Sequence, residues 1–435
     1  MHASAICGQE SGKSQAYTMA LSTTVQTLPH RIRKLALNSK IREAFDVGIR
    51  NKIVWLKTTL AVALMAGIAL SPRLWISSRF YPLTPVFKGL PSIPFPFDYL
   101  LAAALVGLLW AALLSARPRK YIVGVVVVLG VLGCLDQSRW QPWCYQYFLM
   151  FAALGFYSWQ RERGEQPEMA LNTCRLIVAS SYFWSGVQKL NWNFIYAVFP
   201  NLISPYLRRL PPKFGFFALV LSGLVPLVEI SVGLGLLSRR YRNLSVTLAL
   251  IGHLVIFLLF VPTRRNTVIW PWNLAMLSFV LILFWREAGT SSGEILLGRR
   301  HAFHLAILIL CGLMPAFSFF GLWDSYLSST LYSGNISQGS LSLSDEVRGR
   351  LPPQIQSVVQ PGTPGNFLSI HRWSYFELNV PPYPEARIYH IVLLAVCAYA
   401  QDQDDVVLKL SFRRRLFEPE PPMELSNCAD LAPAK

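Results

Sequence analysis

A lysine sits near the end of one of the apolar runs of this chain, in Tyr182-Phe183-Trp184-Ser185-Gly186-Val187-Gln188-Lys189-Leu190-Asn191-Trp192. Three roles are open to it. A lysine at the end of a membrane helix snorkels to the headgroups. It can instead form half of a buried ion pair. With aromatic and apolar residues following it, the amine can also face a partly dry pocket and work as a general base or a ligand-binding group. On a helix Tyr182, Ser185 and Lys189 fall at i, i+3 and i+7, which places two hydroxyls on the face of the amine.

Two more ionisable residues interrupt neighbouring apolar runs. Glu229 lies in Pro226-Leu227-Val228-Glu229-Ile230-Ser231, where a carboxylate costs about 3 kcal/mol unless it is protonated or paired. His253 stands between Gly252 and Leu254, near the middle of the next run. Adjacent antiparallel helices would bring Glu229 and His253 into a hydrogen-bonded pair, as a structural polar contact or as support for the amine. Asp136, followed by Gln137, Ser138, Arg139 and Trp140, reads as a helix cap, with a catalytic role as the alternative. Arg175 opens the Lys189 run and reads as an interface anchor.

Other chemistry is not signalled. There is no nucleophile elbow, no phosphate-binding glycine loop and no His-Glu-x-x-His. The seven cysteines, at 7, 134, 144, 174, 311, 397 and 428, have neither Cys-x-x-Cys nor zinc spacing, so no metal is expected. Cys134, Cys174 and Cys311 sit in apolar runs as packing residues, while Cys397 and Cys428 could pair if the tail is outside the cell. His371 and His390 read as ordinary polar residues. Asn335-Ile336-Ser337 is a sequon only in a eukaryote.

The elements that must position these groups are membrane helices. Hydrophobic residues make up 53% of the 435 and charged residues only 14%, against about 25% charged in an average soluble domain. Nine apolar segments are expected: Ile53–Leu70, Phe97–Ser115, Tyr121–Leu135, Trp143–Trp159, Leu171–Leu190, Phe214–Leu237, Leu244–Val261, Val268–Trp285 and Ala302–Phe320. The third is short, and Arg117, Arg119 and Lys120 beside it can snorkel. The net charge of +17 lies mostly between these runs, where it sets topology and meets anionic headgroups, so it does not argue for nucleic acid. The basic N-terminus, Arg117–Lys120, Arg161 with Arg163, Arg239 to Arg242, and Arg286 with Arg299 and Arg300 fall on one side. The N-terminus is therefore expected in the cytoplasm and the tail outside, in the cell membrane. Residues 1–52 contain no apolar core of signal-peptide length, so the first helix is expected to act as its own insertion signal.

Two outer loops are unusually apolar. One holds Pro82, Pro85, Pro91, Pro94 and Pro96, and the other holds Trp192, Phe194, Tyr196, Phe199 and Tyr206. Each would lie in the headgroup layer or fold back as a lid. Beyond Phe320 the composition shifts. Phe367–Val380 reads as a strand, Pro384–Ala400 as a helix and Asp405–Phe412 as a strand, with Ser333–Gly365 as a polar connection. The Pro-Glu-Pro-Pro stretch at 419–422 is expected to open a disordered end, and the first 30 or so residues to be disordered too. The expected fold is an all-α polytopic membrane bundle with a small C-terminal extramembrane α/β domain. Its parts are a basic segment at 1–50, a transmembrane domain at 51–320 and an outer domain at 321–435.

The order of motifs resembles the membrane domain shared by vitamin K-dependent gamma-carboxylases and the bacterial horizontally transferred transmembrane proteins. The resemblance runs over roughly residues 50–330. It is carried by Leu135-Asp136-Gln137-Ser138-Arg139-Trp140, Tyr182 to Leu190, Leu227-Val228-Glu229, the helix of His253, and Trp323-Asp324-Ser325-Tyr326-Leu327. In the carboxylases the lysine of the second piece is the base that deprotonates the vitamin hydroquinone. The resemblance thus implies that role for Lys189, with a quinol as cofactor and Glu229 and His253 in support. Two departures weigh against glutamyl carboxylation. Trp143 stands where the carboxylases carry a histidine, and the tail from 321 is much smaller than their outer domain. A membrane scaffold or lipid-binding module is the expected function, its partners being the bilayer, a lipid-soluble ligand and a protein met by the outer domain. The alternative is an enzyme that uses Lys189 as base on a quinol or another lipid-soluble substrate. A transporter fits less well, because no internal repeat is present.

Overall fold

The computed structural model describes residues 30–87, 89–157, 167–209, 211, 214–260, 266–298, 301–362, 365–416, 418 and 422–430. The expectations for most of the first 30 residues, for Arg161 and Arg163, for Arg299 and Arg300 and for residues 419–421 lie outside these. The chain divides into two compact units, Met1–Val54 and Trp55–Lys435.

All nine apolar segments are helical: α1 (His30–Leu70), α2 (Phe97–Leu114), α3 (Arg119–Leu135), α4 (Pro142–Phe156), α5 (Pro167–Gln188), α6 (Phe214–Leu237), α7 (Arg242–Phe260), α8 (Ile269–Phe284) and α9 (Ala302–Ile307). The last continues through a wider turn at Leu308–Leu313 into a 3₁₀ segment at Met314–Phe320. There Pro315 lacks the amide that would extend the α ladder. Among the described residues five stretches are long and apolar enough to cross a membrane: Gly48–Leu70, Phe97–Leu114, Gly215–Leu237, Arg242–Phe260 and Ala302–Phe320. Helices α3, α4 and α8 are shorter than these, and α5 is long but diluted by Glu168, Asn172, Thr173 and Arg175.

The proline-rich loop after α1 is ordered by two carboxylates. Asp98 accepts from the backbone amides of Ser77 and Ser78 at 3.0 and 3.2 Å and from the Ser78 hydroxyl at 3.0 Å. Asp136 accepts from Arg79 Nη2 at 2.6 Å and from Thr84 Oγ1 at 2.8 Å, and it caps the turn at Gln137–Arg139 through the Ser138 amide. Asp136 is thus a structural cap of the kind its sequence context suggests. The second aromatic loop is helical at Phe194–Val198 and Phe199–Leu207, and Phe194, Phe199 and Ile203 form a small core with Ala218 of α6.

The C-terminal region is an antiparallel sheet of five strands in the order β2-β3-β1-β4-β5, where β1 is Gln338–Leu343, β2 Gln360–Gly362, β3 Gly365–Ser369, β4 Val406–Ser411 and β5 Met423–Asn427. Its two longer helices are α10 (Ile370–Leu378) and α11 (Ala386–Cys397), and two short ones lie at Asp345–Arg350 and Pro353–Gln356. Three expectations are corrected here. The strand expected over 367–380 stops at Ser369, whose hydroxyl caps α10 by accepting the Arg372 amide, and Asn379 ends that helix in the left-handed region. The polar connection 333–365 contains β1, the central strand, because Gly339, Leu341 and Leu343 alternate inward between Gln338, Ser340 and Ser342. The end expected to be disordered holds β5, paired with β4 and tied by the Cys397–Cys428 disulfide.

The region is fastened to the helices by polar groups. Glu377 of α10 accepts from the amides of Phe80 and Tyr81 at 2.6 and 2.9 Å and from Trp373 Nε1 at 2.9 Å. Tyr145 of α4 shares a hydrogen bond with Tyr383 at 2.9 Å, and Tyr383 donates in turn to Asp324. Gln137 Nε2 donates to Glu385 at 3.0 Å. Desolvation, with the Asp324 carboxylate alongside, pushes Glu385 up to about 7 from its ordinary 4.5.

Between those two values the folded chain holds a proton that the unfolded chain has released. The stability Glu385 contributes is therefore complete below about pH 4.5 and lost as pH rises through 7. Thermal midpoints measured from pH 4 to 8 should fall across this window in the wild type. Glu385→Gln should flatten the profile, and an unchanged slope would contradict the assignment. Replacing Cys397 and Cys428 by serine should cost the C-terminal region about 2–4 kcal/mol. The loss should show as release of the β5 segment by protease at lower urea.

Candidate functional site

The site begins with two glycines. A Cβ on Gly186 of α5 would lie 2.6 Å from the Pro226 carbonyl oxygen and 2.7 Å from the Ile230 nitrogen, both on α6. A Cβ on Gly233 would lie 2.6 Å from the Phe183 nitrogen and 2.9 Å from the Ala179 carbonyl oxygen. The two backbones are therefore in contact along two turns, the close crossing that small residues permit between membrane helices. Glu229 lies on the contacting stretch of α6, one residue before Ile230, and this brings its carboxylate to the end of α5.

There Lys189 Nζ donates to Glu229 Oε2 at 2.6 Å and to Ser185 Oγ at 2.5 Å. The side chains of Lys189 and Glu229 are only 10% and 18% exposed, so the amine ends in an ion pair and not in solvent. Ser185 sits one turn before Lys189, as the i, i+4 spacing requires.

Deeper along the same face of α5, Tyr182 meets His253 of α7, with 2.6 Å between the hydroxyl and Nε2. His253 Nδ1 lies 2.8 Å from Asn273 Oδ1 on α8, and Asn273 Nδ2 donates to the Ile269 carbonyl at 2.8 Å. The amide of Asn273 is thereby oriented, and its Oδ1 must accept. His253 consequently carries its proton on Nδ1, and the Tyr182 hydroxyl donates to the bare Nε2. The hydrogen bond expected between Glu229 and His253 does not form, because both ring nitrogens of His253 are engaged, by Tyr182 and by Asn273.

The three residues singled out in the sequence, Lys189, Glu229 and His253, thus belong to one seam of polar groups shared by α5, α6, α7 and α8. Asn273 completes the seam, and its signal was a lone amide in the apolar run of α8. Arg175 corrects the reading of an interface anchor. It is buried and donates to the Leu283 carbonyl at 2.8 Å, to Asn172 Oδ1 at 2.6 Å and to Glu287 at 3.1 Å. Lys57, a lysine inside the first apolar run, is buried and caps the end of α2 by donating to the Ala112 and Leu113 carbonyls at 2.8 and 3.2 Å. Trp143 packs against Trp75 and Tyr147.

A cleft of about 330 Å³ opens beside the proline-rich loop, lined by Ser77, Ser78, Arg79, Tyr81, Phe95 and their neighbours, and a smaller cavity adjoins it at Asp98 and Arg139. Lys189 lines neither of them. Among the described residues no group of three or more His, Cys, Asp or Glu could hold a metal ion.

Removing one partner of a buried ion pair strands the other, at a cost of about 3–5 kcal/mol, whereas replacing both by apolar residues is close to neutral. Lys189→Met should therefore destabilise the detergent-solubilised protein by that amount, and Lys189→Met with Glu229→Leu should recover most of it. A double variant no more stable than the single one would mean that the pair is not what holds the two residues. No family model, no curated protein and no solved structure matches this chain.

Proposed function

We propose that the chain is a nine-span protein of the cell membrane, with its N-terminus in the cytoplasm and its C-terminal α/β region outside. It acts there as a lipid-binding or scaffolding module, and it does not carboxylate glutamate. The five membrane-length helices support membrane insertion. The Cys397–Cys428 disulfide supports an oxidising side for the C-terminal region. The observation that carries the reading is the closed pairing of Lys189. Its amine is held by Glu229 and Ser185 and its side chain is only 10% exposed, so it works as a polar lock between α5 and α6.

One observation favours a second reading, in which the seam is catalytic. Lys189, Glu229 and His253 lie far apart in sequence and converge in one apolar setting, as supporting groups around a base would. The resemblance of Asp136–Trp140 and Tyr182–Leu190 to the gamma-carboxylase membrane domain belongs to this proposal. In it Lys189 first gives its ion-pair proton to Glu229, and the neutral amine, held in place by that carboxyl group, then takes a proton from a quinol or another lipid-soluble substrate.

Mass spectrometry of the lipids and quinones that copurify with the full chain separates the two. The comparison is between the wild type and the folded Lys189→Met, Glu229→Leu double variant. The module reading expects the same lipids on both proteins. A quinone found on the wild type and lost from the variant would replace it with the enzyme reading.

A further inference from the structure

We propose that Arg413 anchors a binding site for the phosphate of a membrane phospholipid, at the end of the last apolar helix. The inference rests on the membrane reading above and names a ligand for it. Arg413 follows β4 and is 8% exposed. Its Nη2 donates to Gln188 Oε1 at 2.6 Å, at the end of α5, and its guanidinium lies 5.5 Å from the Phe319 ring centroid. Its Nε and Nη1 are buried and, among the described residues, have no hydrogen-bond partner.

A guanidinium presents five N–H donors and stays charged at neutral pH, so leaving two of its nitrogens unmet in the interior is costly. Burial pushes its pKa down to about 10, which leaves it cationic at neutral pH. The carboxylate whose charge it feels is Asp324, and that group is committed elsewhere. Asp324 accepts the Tyr383 hydroxyl on one oxygen and the Leu327 amide at 2.7 Å on the other. Among the described residues no anion is hydrogen-bonded to the Arg413 fork, whose Nε and Nη1 stay unmet.

The surroundings indicate which anion. The segment after Arg413 runs along the end of the last apolar helix. Arg414 is clasped at both backbone atoms by the Asn335 side chain, and the Leu416 amide donates to the Phe319 carbonyl at 2.7 Å. Arg415 is 56% exposed in its side chain, and Phe320, Leu322 and Leu416 are exposed beside it. Beyond the end of α5, Trp192 and Tyr196 are exposed and stack with centroids 5.1 Å apart. Arginines interleaved with exposed aromatic and aliphatic side chains at helix ends are the composition of the headgroup layer. The anion present at that depth is a phosphate, whose oxygens match the fork of an arginine.

The test uses the full chain, delipidated in detergent and mixed with micelles containing phosphatidylglycerol or phosphatidylcholine, with bound lipid counted by native mass spectrometry. Wild type should retain phospholipid, and Arg413→Gln should bind it about tenfold more weakly. Arg413→Lys should recover only part of the affinity, since an ammonium lacks the fork. Arg415→Gln, at an exposed position that leaves the fold alone, should weaken retention of phosphatidylglycerol and lessen its salt dependence. Equal retention by wild type and Arg413→Gln overturns the site. So does stabilisation of the lipid-free wild type by inorganic phosphate as large as that by phospholipid, which would make the ligand a free anion. Failure of the membrane reading shows separately, as release of the wild-type chain from membranes by alkaline carbonate.

Discussion

The contact between the α5 and α6 backbones governs the polar interior of this protein. In hydrocarbon, helices gain little from burying apolar surface against one another, so their association depends on how closely they fit and on the polar groups they share. Gly186 and Gly233 supply the fit, each lying where even a methyl group would strike the backbone of the opposite helix. Once the helices are that close, Glu229 meets Lys189, and the ion pair fixes their rotation as the glycines fix their distance. The rest of the seam follows from this, since the same face of α5 carries Tyr182 toward α7. A bulkier crossing would leave a carboxylate and an amine each seeking water in an apolar setting.

What could be read from the sequence follows the range of the forces involved. The apolar runs were legible because length and composition are local properties, and every one of them is a helix. Lys189, Glu229 and His253 stood out because a charge or an imidazole in such a run carries an obvious energetic cost. Their pairing was not legible, because it depends on which faces meet. Glu229 turned to Lys189, and His253 turned to Tyr182 and Asn273. The glycines carried no signal at all, since nothing in the sequence says which glycine meets a neighbour.

In the C-terminal region the misreadings have a different origin. β1 was hidden because its polar positions are serines, which look like linker, although Gly339, Leu341 and Leu343 keep the period of two. Its central place comes from pairing with β3 and β4, both distant in sequence. Ile370, Trp373 and Phe376 are residue types that favour strands, but Ser369 and Asn379 provide a start and a stop for a helix, and those local bonds prevail. β5 lay behind a proline-rich lead-in that suggested disorder, and a cross-link between distant cysteines holds it on the sheet.

The orientation of Asn273 bears on how well the bundle would keep ions apart. Protons cross an apolar layer along chains of groups that can each take one up and pass one on. Tyr182 and His253 are such groups, but Asn273 is an amide, and its nitrogen is already committed to the Ile269 carbonyl. The group that His253 meets on α8 is this amide, which accepts a hydrogen bond but does not take up a proton and pass it on. On α8 the seam therefore ends in a group that does not relay protons, a closed end and not a wire.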